Sequence, residues 1–68
     1  MSYAIRALIL CELETDPGAW VDADSIAAGL HLPYDEVLRE CQALATVGLV
    51  VAQAGHHGGL FSIAPAHA

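Results

Sequence analysis

Apolar residues recur along this chain first with a helical period and then with a shorter one. SYAIRALILCELE, residues 2–14, is apolar on nearly every side of a helix: Tyr3, Ala7, Leu10 and Cys11 share one face, and Ile5, Leu8 and Ile9 lie on others. Over 23–30, Ile26, Ala27 and Leu30 form a single stripe. Over 34–47, Val37, Cys41, Leu44 and Val47 fall at helical spacing on one face. Past Gly48 the apolar runs shorten to Leu49–Gln53 and Leu60–Ala64, which are strand length. The glycine-rich tip Ala54-Gly55-His56-His57-Gly58-Gly59 between them reads as a hairpin loop. The pattern therefore predicts helices near 2–14, 23–30 and 34–47 and a two-stranded wing over 49–64.

The residues between these runs fit the same reading. Asp16-Pro17-Gly18 is a turn, because proline presets φ and glycine admits positive φ. Trp20-Val21 reads as a short strand. Asp22 is an N-cap for the second helix, its carboxylate accepting from backbone N–H groups of the first turn. His31 falls where a turn residue with positive φ is needed. Pro33 suits the start of the third helix, and Gly48 caps its end. Helix, tight turn, helix and hairpin in this order define a winged helix-turn-helix: mainly α with a small β-hairpin, one domain over 1–68 with a frayed tail at 65–68. Its predicted core is Ile26, Leu30, Leu32, Val37, Cys41, Leu44, Phe61 and Ile63.

Composition sharpens this. A chain of 68 residues has a marginal core, yet 56% of its residues are hydrophobic. A first helix that is apolar all round wants a cover, and a second copy of the chain is the expected one, with Ile5, Leu8 and Ile9 as dimer contacts. The N-terminal run has no basic segment before it, is broken by Arg6, and is too short to cross a bilayer, so neither a signal peptide nor a membrane span is expected. Cys11 and Cys41 are too few and too far apart for a zinc motif. Both read as buried free thiols, which fits a reducing cytoplasm.

Charge complicates the picture. The chain has eight acidic residues, two arginines and no lysine, for a formal charge of −6. The helix-turn-helix order places Tyr34, Asp35, Arg39 and Gln42 on the third helix as candidate contacts to duplex DNA or to a basic protein partner. Gln53, His56 and His57 would contribute from the wing. Arg39 suits a bidentate contact with guanine and Gln42 one with adenine. Asp35 and Glu36 sit at the helix start, where the dipole stabilises them and where they disfavour a phosphate. The histidine pair is an inducible positive charge, titrating near pH ~6.5 when unperturbed. Adjacent strand residues point to opposite faces, so the pair does not make a metal site. Neither a catalytic constellation nor a cofactor motif is evident, and no enzyme activity, metal or cofactor is expected.

YAIRAL, then SIAAGLHLP, then a helix closing in VGLV, then a wing with a double glycine before an aromatic, resemble the DNA-binding head of Rrf2-type transcription regulators over Tyr3 to Pro65. The resemblance implies a winged-helix fold and a recognition helix over Pro33 to Gly48. Three departures stand beside it. The long dimerisation helix beyond the wing and the cysteine cluster that some members carry there have no counterpart in this sequence. The arginines and lysines usual on the recognition helix and wing are largely absent. Two readings follow: a DNA-binding regulator that pairs through its first helix, and an acidic protein-binding module (an adaptor, an inhibitor or a mimic of nucleic-acid charge, from a mobile element for instance) on the same scaffold.

Overall fold

A computed structural model describes residues 3–55 and 59–64. His56, His57 and the predicted frayed tail 65–68 lie outside the described residues. The elements are α1 (Tyr3–Glu14), β1 (Val21–Asp22), α2 (Ala23–Leu30), α3 (Tyr34–Thr46), β2 (Val50–Gln53) and β3 (Leu60–Ile63). Each predicted helix is present within a residue of its expected bounds, and so is the hairpin. Val21–Asp22 adds a third strand, so the sheet has the antiparallel order β1-β3-β2. Val21 pairs with Phe61 across β1 and β3, and Ala52 pairs with Phe61 across β2 and β3.

The helix ends carry their local chemistry. The Ser25 backbone N–H donates to Asp22 Oδ1 at 2.7 Å, capping α2. Helix α2 closes with the His31 N–H bonded to the Ala28 carbonyl and the Leu32 N–H to the Ala27 carbonyl, a Schellman turn around His31 at φ 57°. Helix α3 closes the same way around Gly48 at φ 84°, with the Gly48 N–H on Ala45 O and the Leu49 N–H on Leu44 O. The two turns differ in strain, because a Cβ in the left-handed region is costly and glycine has none. His31→Gly should therefore raise stability by about 0.5–1 kcal/mol, reduced by the greater unfolded-state freedom of glycine. Urea titration of both proteins checks this; a destabilised variant would mean the imidazole makes an offsetting contribution.

The core is built from Ile9 and Leu13 of α1, Ala23, Ile26 and Ala27 of α2, Val37, Cys41 and Leu44 of α3, and Val50 and Phe61 of the sheet. Leu30, Leu32 and Ile63, also expected inside, are partly buried against it. The Ser62 hydroxyl donates to the Pro17 carbonyl at 3.3 Å and ties the first loop to the outer side of β3.

Several inward assignments are corrected. Tyr3 and Ala7 of the expected α1 core face are exposed, and Cys11 is an exposed thiol rather than a buried one. The face that turns inward runs instead through Ile5, Ile9 and Leu13. Ile9, expected as a dimer contact, has 0% exposure and belongs to the core of the single chain, so it is not available to a partner. The cause is the helix itself: an apolar surface all round gives periodicity nothing to choose between. Val47 is 62% exposed. It is the C-cap residue of α3, its N–H still bonded to the Ala43 carbonyl, and it lies at the helix end, past Leu44, the last buried residue of the stripe.

The two thiols should behave differently. Burial, and secondarily the negative charge of Glu40, push the Cys41 thiol up to about 11. A native thiol titration should find one reactive group, Cys11, with Cys41 appearing only on denaturation. Unfolded Cys41 ionises near its ordinary 9.0, so the folded state holds the extra proton between there and about 11. Its contribution, roughly 2–3 kcal/mol, is full below about pH 9 and lost as pH rises toward 11. Cys41→Val should flatten that alkaline decline in a denaturant series; an unchanged slope would assign it to other groups.

Candidate nucleic-acid interface

Helix α3 presents one face to the core and another to solvent. Val37, Glu40, Cys41 and Leu44 are buried. Asp35, Arg39, Gln42 and Thr46 are exposed and recur at spacings of four, three and four, so they line one continuous outward stripe. The Thr46 hydroxyl donates to the Gln42 carbonyl at 3.0 Å, which holds the end of the stripe close to the helix. Arg39 stands in the middle and makes no ion pair among the described residues. Tyr34, expected beside it, is half-buried and packs against the core. Glu36 is also half-buried.

Glu40 is the residue that sequence reasoning missed. It is 3% exposed, and Arg6 Nε donates to its Oε1 at 2.6 Å. The same guanidinium lies over the Tyr3 ring, its Cζ 5.9 Å from the ring centroid. Glu40 belongs with Val37, Cys41 and Leu44 by helical position, and that was the available signal. A carboxylate at such a position needs a cation, and the chain offers only two. Because Arg6 is consumed there, Arg39 is the one arginine left to meet a ligand.

The wing contributes little charge. All ten charged side chains lie within residues 1–40, and residues 41–68 contain no aspartate, glutamate, lysine or arginine. Gln53 is exposed at the end of β2, opposite Leu60. Gly59, at φ 110°, brings its backbone so close that an added Cβ would stand 3.0 Å from the Gln53 carbonyl oxygen. The backbone conformation therefore favours glycine here, and a side chain would also crowd that oxygen. Expected site residues His56 and His57 fall outside the described residues. The structure brings Asp35, Arg39 and Gln42 together on α3; Gln53 is placed separately, at the base of the wing tip.

Three helices, a tight α2–α3 turn and an antiparallel sheet ending in a hairpin make this a winged helix-turn-helix domain. No family model matches the chain, and no curated protein does. Among solved structures it is similar to a possible transcriptional regulator from Methanosarcina mazei Go1, with a TM-score of 0.76 at 18% identity, over 96% of this chain and 57% of that one. The chain thus spans a little over half the length of that protein. At this identity the likeness carries the fold. Among the described residues no helix is long and apolar enough to cross a membrane.

Proposed function

We propose that this domain is the DNA-reading head of a transcription regulator, of Rrf2-like type, with α3 as its recognition helix. The observation that carries the reading is the outward stripe of α3, where Arg39 stands exposed between Asp35 and Gln42. A guanidinium in that position has the fork geometry that guanine O6 and N7 accept, and Gln42 one turn on has the donor and acceptor that adenine presents. The fold likeness to a possible transcriptional regulator supports it, as does the sequence resemblance over YAIRAL, SIAAGLHLP and VGLV. Gln53, His56 and His57 would approach the backbone or minor groove from the wing. A cytoplasmic site of action goes with this reading.

One free arginine per head is a weak electrostatic hold on DNA, so the reading includes a homodimer that presents two. Leu8, 46% exposed, and the half-buried Ile5 are the remaining α1 contacts from the expected set. Burying a large aliphatic side chain contributes about 1.5–3 kcal/mol. Sedimentation velocity at micromolar concentration should show the dimer, and Leu8→Glu should return it to monomer. A wild-type protein that stays monomeric at high concentration would remove this part of the reading.

The net charge of −6 favours a second reading, an acidic module that binds a basic protein partner through Asp35 and its neighbours. A gel-shift titration on genomic fragments at low and physiological salt separates the two. Retardation of a subset of fragments supports the regulator. Absence of any retardation at low salt and mildly acidic pH favours the acidic module.

A further inference from the structure

The wing leaves one edge of the sheet open. In the order β1-β3-β2, β2 has β3 on one flank and no strand on the other among the described residues. The Ala64 N–H donates to the Leu49 carbonyl at 3.1 Å, which makes Leu49 and Ala64 a hydrogen-bonded pair. Antiparallel pairing alternates, so the register repeats this at Val51–Ser62 and Gln53–Leu60. The N–H and C=O groups of Val50 and Ala52 therefore point away from β3. Val51, Ala52 and Gln53 are all exposed, Ala52 even though it shares its side of the strand with the buried Val50. Nothing in Val50–Gln53 protects such an edge: it has no charged residue and no proline, and its register with β3 runs without a bulge. Leu49, 49% exposed, and Val51, 40% exposed, stand together on its outer face.

We propose that this edge is a contact between two copies of the chain, which pair β2 with β2 antiparallel about a twofold axis at Val51 and so double the three-stranded sheet. In that register Val50 of each copy exchanges both backbone bonds with Ala52 of the other. Val51 stands directly opposite its counterpart, and Leu49 stands opposite Gln53. Charge selects a second copy as the occupant. Chains of net charge −6 repel one another, but every side-chain carboxylate and guanidinium lies within residues 1–40, and the edge belongs to the half that has none. Pairing at β2 lets two copies meet with neutral surfaces facing, whereas a basic protein would find no carboxylate there. The contact uses no residue of α1 and requires neither α1 pairing nor DNA binding. Where α1 also pairs, each chain has two neighbours and dimers join into larger assemblies. With four residues a side, the contact is small and calls for concentrations above micromolar.

Sedimentation velocity from micromolar to millimolar concentration tests this on Leu8→Glu, Leu8→Glu/Val51→Lys and Leu8→Glu/Ala52→Pro. Leu8→Glu removes any α1 contact and is expected to dimerise as concentration rises. Val51→Lys should weaken that association by about tenfold or more, because two ammonium groups would stand opposite each other across the pair. The same substitution lowers the net negative charge by one, so relief of general repulsion would strengthen association instead. Ala52→Pro removes an N–H that the wing itself does not use, and should abolish the dimer while the wing keeps its own pairing. Oxidative trapping supplies a separate readout. Cys11→Ser/Val51→Cys should form a covalent dimer much faster than Cys11→Ser/Ala28→Cys, whose new thiol is exposed on α2. The proposal is overturned if Leu8→Glu stays monomeric to millimolar concentration, if Val51→Lys leaves association unchanged, if a folded Ala52→Pro chain still dimerises, or if the two trapping rates are equal. Should Ala52→Pro fail to fold, Val51→Lys and the trapping decide. Failure of the wild type to retard DNA would sink the regulator reading without touching any of these outcomes.

Discussion

Arg6→Met alone is expected to unfold much of the protein at room temperature. The substitution leaves Glu40 inside, 3% exposed, beside Cys41 and without its guanidinium. Removing one partner of a buried pair typically costs about 3–5 kcal/mol, because the remaining charge keeps its desolvation penalty and loses its compensation. A chain of this length has total stability of roughly 3–10 kcal/mol by the usual per-residue range, so the loss is comparable to the whole. Glu40→Met should cost a similar amount, with the Arg6 end slightly less severe because that side chain reaches solvent. The two single losses should not add: the double variant recovers most of both. Thermal melts followed by circular dichroism measure all four proteins. A single variant within about 1 kcal/mol of wild type would mean that water or another group replaces the lost partner.

Arg39→Ala carries the second large effect, and it is an effect on binding alone. Arg39 is exposed and makes no ion pair among the described residues, so the melting temperature should hold. If α3 reads DNA, the variant loses a contact of about 1–3 kcal/mol at its preferred site, a fall of roughly 5- to 150-fold. Because Arg6 is committed to Glu40, nothing replaces the missing cation. Salt sensitivity should hardly change with it: the slope of log affinity against log salt counts neutralised phosphates, about −0.9 for each, and Arg39 is assigned to a base edge, so wild type and variant should share a shallow slope. Equal binding by wild type and Arg39→Ala would dismiss α3 as the reading element in this form.

Much of the architecture was legible because it depends on neighbours in sequence. The Asp22 cap, the left-handed turn at His31, the Gly48 turn and the glycine-bounded hairpin each follow from the conformational demands of a few adjacent residues. The α3 core stripe was legible for a related reason: Val37, Cys41 and Leu44 are separated from Asp35, Arg39 and Gln42 by a clear polarity difference, so helical periodicity has a contrast to report. The outward position of Arg39 follows from that contrast. The third strand, Val21–Asp22, was visible only as a two-residue fragment, since its hydrogen-bonding partner Phe61 is distant in sequence.

The sequence by itself determined the order of the elements, their caps and turns, the identity of α3 as the helix with two distinct faces, and the scarcity of positive charge. Tertiary structure alone decided the roll of α1. A helix that is apolar all round has no face that local periodicity prefers, so Tyr3 and Cys11 turned outward and Ile9 and Leu13 inward. The choice was made by contacts with the other elements, among them a pairing between residues 34 apart, Arg6 and Glu40. Burial makes such a pairing decisive: away from water an uncompensated charge is costly, so the fold must bring the two ends together or neither is tolerated. That requirement spends one of the chain's two arginines inside the domain and leaves Arg39 to act at its surface.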